Sequence, residues 1–391
     1  MRRIAFLIII VGMFISLVPV ELEGVPVFAR KHKLSCKTCH DPFPRLKPFG
    51  EEFAGNGFTI DGKVPSRYYK DTGDDKLSLL RSFPIALRMD LFVTNNKSGS
   101  DVFDLSTPYN IKLVSGGVLA KNVSYYFYFF FAERGEIAGL EDAFIMFNDV
   151  LGTGISLALG QFAISDPLLK GELKLTFERY KIYRARPGLS RLDLSYDRGL
   201  MLTYTIPKKG PDLTLEILNG TGIHEADDLR NFDDDSFKNF LGRISQDLGK
   251  HFRIGAVAFH GKESIYGITN IVDMLGADFT VSYYPLEINF QYLERRDDNP
   301  YLFSVSPGDV KTKGVILETI YTFGGVDSPW YCAGMYNWVD SDDEMQDYSS
   351  IALHAGYIYR RNIRMIAEVD YVFNSTQGEY LRLITGIIAA F

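Results

Sequence analysis

From Phe83 to the terminal Phe391 the chain alternates apolar and polar residues with a period of two. That period belongs to extended backbone, whose successive side chains point to opposite faces. In the first segment Ile85, Leu87, Met89, Leu91 and Val93 share one face, while Ala86, Arg88 and Asp90 share the other. The third is strongly aromatic, with Val123, Tyr125, Phe127, Phe129 and Phe131 set against Ser124, Tyr126 and Tyr128. Near the end, Ile351, Leu353, Ala355 and Tyr357 alternate with Ala352, His354 and Gly356. Segments of about ten residues with this pattern predict the strands of a transmembrane β-barrel.

Sixteen segments can be drawn: 83–94, 107–119, 122–133, 140–149, 155–164, 198–206, 212–220, 238–248, 252–262, 273–284, 286–296, 313–323, 329–340, 348–359, 363–374 and 379–391. Their connections sort into two sets. One is short (120–121, 150–154, 207–211, 249–251, 285, 324–328, 360–362). The other is mostly longer (95–106, 165–197, 221–237, 263–272, 297–312, 341–347), with 134–139 and 375–378 as short members. Outer-membrane barrels have short periplasmic turns and longer outside loops. The expected fold is therefore mainly β, a 16-stranded antiparallel porin-like barrel over 83–391, with both chain ends of the barrel on the periplasmic side. A terminal Phe closing the last alternating strand fits the same reading. A soluble β-sandwich would point its apolar faces inward and use shorter strands. Composition agrees: 14% aromatic residues and a mean hydropathy of −0.04 combine when apolar faces are hidden by alternation. The net charge of −7 speaks against a nucleic-acid partner.

The first 24 residues, Met1-Arg2-Arg3 followed by an apolar body from Ile4 to Val20, read as a signal peptide. The alternative is a single membrane anchor. Residues 25–82 then form a small segment, expected to be helix and loop, ending in a polar tether from Lys63 to Arg81. A unit this short needs a staple.

Cys36-Lys37-Thr38-Cys39-His40 supplies one. C-x-x-C-H is the attachment site of a c-type haem, with Cys36 and Cys39 as thioether anchors and His40 as proximal iron ligand. A tetrahedral zinc site from His32, Cys36, Cys39 and His40 is disfavoured, because the adjacent Cys39 and His40 would have difficulty reaching one ion. A redox C-x-x-C lacks its βαβ setting. The sixth iron ligand stays open: His32 precedes the motif, His354 has lumen-facing parity, Met89 has lipid-facing parity, and a five-coordinate or water-bound iron is a further option. Phe43, Phe49, Phe53 and Phe58 are spaced to line a haem pocket, and Arg45 and Lys47 are candidates for propionate pairing or plain solvation.

Phe28-Ala29-Arg30, Leu34-Ser35-Cys36-Lys37-Thr38-Cys39-His40, Phe43-Pro44-Arg45-Leu46, Phe49-Gly50, Phe53 and Gly57-Phe58 together resemble the fused outer-membrane monohaem cytochrome c–porins, best known as iron(II) oxidases of iron-oxidising bacteria. The resemblance covers residues 26–60; over the barrel it is architectural. It implies one covalent haem c ahead of a sixteen-strand barrel in the outer membrane of a Gram-negative bacterium. The haem segment would lie at the periplasmic side or inside the barrel. It further implies one-electron transfer between an extracellular donor, Fe(II) or another donor or acceptor, and a periplasmic cytochrome or other carrier. The rival from a different class is a diffusion porin with an appended periplasmic cytochrome.

Three loops bear on these expectations. Glu225, Asp227, Asp228 and Asp233 to Asp235 make one outside loop acidic, and Asp340, Asp342, Asp343, Glu344 and Asp347 another. Clustered carboxylates attract cations, though a solvated loop surface or a site for bridging ions is the preferred reading. Loop 165–197 is basic and aromatic, with Lys170, Lys174, Arg179, Lys181 and Arg184 among Phe177, Tyr180 and Tyr183. It is expected either to fold inward and narrow the lumen or to meet anionic lipid at the surface.

Overall fold

A computed structural model describes residues 27–60, 69–81, 83–98, 100–265, 267–303, 308–324 and 328–391. The signal-peptide assignment lies outside them. The barrel strands are β1 (Ile85–Ser98), β2 (Ser100–Asp104 and, after a break, Asn110–Ala120), β3 (Val123–Glu133), β4 (Gly139–Phe147), β5 (Ile155–Ala163), β6 (Tyr196–Thr205), β7 (Asp212–Leu218) and β8 (Asn239–Leu248). They continue as β9 (Phe252–Ile265), β10 (Ile268–Tyr283), β11 (Leu286–Asp297), β12 (Val310–Thr322), β13 (Trp330–Ser341), β14 (Tyr348–Arg360), β15 (Ile363–Asn374) and β16 (Tyr380–Ala390). These sixteen strands pair in sequence order and close into a barrel where β16 meets β1, with Leu381 opposite Lys97 and Ala390 opposite Arg88. Phe391 adds two backbone hydrogen bonds to Leu87 at the seam.

The alternation fixes which face is which. Ile244, Ile254, Leu275 and Leu353 are exposed on the outside, whereas Glu216, Arg295, Glu318 and Asp370 are buried inside. An apolar exterior around a charged interior reverses the arrangement of a soluble sandwich and is what a bilayer-facing barrel requires. Among the described residues no helix is long and apolar enough to cross a membrane; the strands supply the apolar surface.

Two expected outside loops turn out to be ladder. Residues 95–98 with 100–104, and 263–265 with 268–272, extend the β1/β2 and β9/β10 hairpins in register, pairing Lys97 with Asp101 and Glu263 with Asn270. Hydrophobicity bounds a strand only inside the bilayer, while backbone hydrogen bonds continue beyond it. The break in β2, residues 105–109, contains Pro108, which has no N–H to give the ladder.

Among its described residues the N-terminal segment has three short helices: α1 (Val27–His32), α2 (Cys36–Cys39) and α3 (Pro48–Gly55). Pro48 opens α3 at a position where a missing N–H costs nothing. Part of the expected tether, 69–81, holds a two-residue ladder pairing Tyr69 with Leu80.

Candidate functional site

Helix α2 puts Cys36 and Cys39 three residues apart, so both thiols leave the same side of one turn. Both are half-buried, and burial pushes both up from the usual thiol range. His40 follows in extended conformation, its backbone N–H capping the turn on the Cys36 carbonyl. Its Nδ1 lies 2.8 Å from the Pro44 carbonyl oxygen. A carbonyl can only accept, so Nδ1 carries the proton and Nε2 is left with its lone pair for a metal. Burial holds this imidazole below the ordinary histidine range, which keeps it neutral and able to ligate. Two thiols on one side of a turn with an oriented imidazole beside them fit the donor set of a c-type haem.

Aromatic packing fixes the segment to the wall. The Phe28 ring stacks on Phe58 at 4.7 Å and meets Phe53 edge-on at 5.4 Å, and Phe58 stacks on Tyr126 of β3 at 5.6 Å. Gly57 ends α3 at φ +65° against β3; a Cβ there would sit 2.4 Å from Ser124 Oγ. On the opposite wall Arg45 forms an ion pair with Glu287 of β11 and lies 3.9 Å from Glu318 of β12. Arg364 of β15 donates to the Phe43 carbonyl at 2.9 Å, and Asn148 donates to the Gly55 carbonyl at 2.8 Å. These partners sit around the barrel at the end with short turns, so the segment is lodged across that mouth. Arg45 is therefore engaged by the wall, and Lys47 Nζ donates to the Lys37 carbonyl.

The loop between β5 and β6, residues 164–195, folds inward, which resolves the two alternatives left by the sequence. Fully buried Arg295 holds its far part, donating to the carbonyls of Ala185 (2.9 Å) and Leu192 (2.5 Å) and to Ser190 Oγ (2.8 Å) while paired with Asp297. Glu368 of β15 accepts the backbone N–H of Phe177 (2.7 Å) and of Glu178 (3.0 Å). Tyr180 donates its hydroxyl to Glu318 at 3.1 Å. Ile182 presses on Gly314 of β12, where a Cβ would stand 2.5 Å from Ile182 Cγ1. Tyr183, Leu192 and Leu194 join a buried cluster with Leu241, Val272, Leu293 and Ile316 of the wall. Each such fully buried side chain is worth about 1.5–3 kcal/mol. Between this loop and the wall lies a cavity of about 190 Å³ lined by Arg88, Asp90, Lys112, Glu141 and Lys174.

A closed sixteen-strand antiparallel barrel is also the form of known channel proteins. An anion-selective porin from Comamonas acidovorans superposes with a TM-score of 0.59 at 12% identity, over 79% of this chain and 99% of that one. OmpF of Salmonella typhi, solved with daunomycin, gives 0.54 at 14% identity over 78% and 97%. The outer-membrane channel DcaP of Acinetobacter baumannii gives 0.53 at 12% identity over 83% and 99%. The chain has the fold of an outer-membrane porin. At these identities the likeness is one of fold. No protein-family model matches the chain, and no curated protein matches it.

Within this porin-like barrel the remaining candidate ligands are separated. His32 is buried in the N-terminal segment, its ring edge-on to Phe53 at 5.1 Å. His354 faces the lumen as its parity predicts, with Nδ1 2.7 Å from Glu368. Its ring stacks on Tyr331 at 5.7 Å, and Tyr331 meets Arg364, which in turn holds Phe43. Tyr331 and Arg364 thus stand between His354 and the motif. Met89 lies on the outward parity of β1, between inward Arg88 and Asp90. The acidic loops are largely committed within the fold. Asp233 pairs with Lys238, Asp234 with Arg191, and Asp235 accepts the N–H of Phe237 and of Ser264. Asp343 accepts from Gly188 of the inward loop, and Asp342 and Asp347 accept from Lys311 and Ser341. Glu287, Glu318, Arg364 and Glu368 carry no local mark of these roles in the sequence, because their partners are remote in the chain.

Proposed function

We propose that the protein is an outer-membrane electron conduit in which residues 27–60, carrying one haem c, close the periplasmic mouth of a porin-like barrel. The observation that carries this reading is His40: its Nδ1 is held by Pro44 while Cys36 and Cys39 share the adjacent turn, inside a segment lodged in the barrel mouth. Cys36 and Cys39 hold the porphyrin edge and His40 ligates the iron. When bound, the haem supplies a one-electron iron(III)/iron(II) couple. The Pro44 carbonyl keeps the His40 ring oriented and its Nε2 unprotonated. Arg45, Arg364 and Asn148 hold the segment in place, and the barrel wall separates it from lipid. The donor outside is iron(II) or another small reductant, and the reverse direction uses the same parts. Among the described residues the carboxylates of the outside loops are mostly paired or capping, which supports a donor that does not depend on a resident iron site there.

Mass spectrometry of the mature chain tests the cofactor: a porphyrin increment is expected, absent from Cys36→Ser/Cys39→Ser. Anaerobic mixing with iron(II) should then bring up the reduced-haem bands. A chain without the increment removes the conduit.

A second reading has its own support. The fold likeness is to solute channels, and the cavities beside the inward loop are polar, including one of about 640 Å³ lined by Arg134, Arg184 and Asp193. A diffusion porin would let small sugars swell liposomes; a mouth closed by residues 27–60 would not.

A further inference from the structure

The chain carries a net charge of −7, yet its short-turn mouth is basic. Lys121 lies in the β2–β3 turn, Lys208 and Lys209 between β6 and β7, Lys250 between β8 and β9, and Arg360 and Arg361 at the β14–β15 turn; all six are exposed. Lys121, Lys208, Lys209 and Lys250 enter no ion pair among the described residues. On the N-terminal segment Lys33 and Lys37 are exposed and Lys47 half-buried. Arg361 lies near enough to Cys36, and Lys47 to Cys39, to act on the thiols through space, which puts basic groups beside the C-x-x-C-H turn.

Most carboxylates at this end are already used. Arg253 takes Asp212 and Asp247, Arg45 takes Glu287, and Asp149 accepts the Gly154 N–H. Glu51 lies within the fields of Arg253 and Arg45, and Glu51 and Glu52 are the exposed counter-charges on α3. The 69–81 ladder balances Asp71, Asp74 and Asp75 with Lys70, Lys76 and Arg81. Pro48 and Phe49 are exposed beside the motif and add an apolar contact to this face. Protein interfaces combine apolar contacts with a polar rim.

We propose that this mouth is a docking surface for an acidic electron-carrier protein of the periplasm. The proposal rests on the electron-conduit reading and adds to it the face of contact and the charge of the partner. A basic rim on an acidic protein steers acidic partners to one end, raising association by an order of magnitude or more at low salt. It also sets the partner's redox centre against the turn that holds Cys36 and Cys39.

The test uses the full-length holoprotein in nanodiscs of zwitterionic lipid. Its probes are a basic cytochrome c and the same protein with its lysines succinylated, which reverses the charge and keeps the fold. The succinylated probe should bind at least about tenfold more tightly than the native one at low ionic strength, and lose that advantage at high salt. Lys121→Glu/Lys208→Glu/Lys209→Glu/Lys250→Glu should abolish the preference, and the matching Gln variant, which controls for folding, should weaken it. Equal binding of the two probes, or unaltered binding to the Glu variant, overturns the proposal. So does a Glu variant that changes only association with anionic-lipid vesicles, since the rim would then be a lipid contact. Tight binding of the succinylated probe without electron exchange would leave the docking surface standing and remove the conduit reading beneath it.

Discussion

Arg45 and Glu287 stand 242 positions apart in the chain and form an ion pair across the mouth of the barrel. Arg45 also lies 3.9 Å from Glu318, and the Tyr180 hydroxyl donates to that same carboxylate at 3.1 Å. One buried wall residue therefore contacts both the N-terminal segment and the inward loop. The two fillers of the lumen share a partner, and disturbing one is expected to be felt by the other.

Arg45→Met should loosen the N-terminal segment. It leaves Glu318 buried without its cation, and breaking a buried pair in this way costs about 3–5 kcal/mol. Limited trypsin digestion within residues 27–60 should accelerate while the heat-resistant mobility of the barrel is unchanged. Unaltered protection would mean that the contacts to Tyr126, Asn148 and Arg364 hold the segment without Arg45.

Glu368→Gln should release the near part of the inward loop. The carboxylate accepts from Phe177 and Glu178 and lies against His354 Nδ1, whereas an amide can offer only one acceptor atom. A lost buried acceptor costs about 1–3 kcal/mol. Hydrogen exchange at the Phe177 and Glu178 amides should quicken by about tenfold for each 1.4 kcal/mol lost. Exchange as slow as in the parent chain would rule out this anchor.

Gly314→Ala should push the loop off β12, because the added methyl meets Ile182. Overpacking of this kind costs about 1–3 kcal/mol. Single-channel conductance, or ion leak in liposomes, should rise, and Ile182→Ala in the same chain should restore the parent value. Failure of the second change to compensate would show that the contact is not what sets the loop.

The inward loop should also tighten as pH rises. Burial lowers Lys174 to about 8, below its ordinary value near 10.5, and its Nζ is met by the Thr176 and Phe177 carbonyls. Between those values the loosened loop holds a proton that the docked loop does not, so docking gains stability with rising pH. The penalty of burying the charge is full below about 8, and the gain above it is on the order of 2 kcal/mol. Proteolysis of the loop, normalised to an unstructured peptide, should slow from pH 8 to pH 9.5. Lys174→Met should show no such change.

Much of this architecture was legible in local pattern. Parity separated Ile351 and Leu353 from Ala352 and His354, and the alternating loop lengths gave an even strand number and the common mouth for both barrel ends. The outer limits of the β1/β2 and β9/β10 hairpins escaped, since Glu263 and Asn270 pair by ladder register and a polar side-chain hydrogen bond, neither of which carries a hydrophobic mark. The inward loop left a signal in hindsight: Leu175, Tyr180, Ile182, Leu192 and Leu194 are too many large apolar residues for a solvated loop, and all five are buried. The C-x-x-C-H motif pointed to Cys36, Cys39 and His40, but the hydrogen bond that orients the imidazole depends on how 41–44 turns back.

Sequence alone determined the wall of this molecule, because strand periodicity reports which side of a local backbone meets lipid and which meets the lumen. It also determined the motif, because three reactive side chains in five residues need no folding to be neighbours. What fills the barrel was decided only in three dimensions. Inward parity marks Glu318 as polar without saying that Arg45 and Tyr180 will meet there, since nothing in a local repeat constrains residues brought together across a closed cylinder.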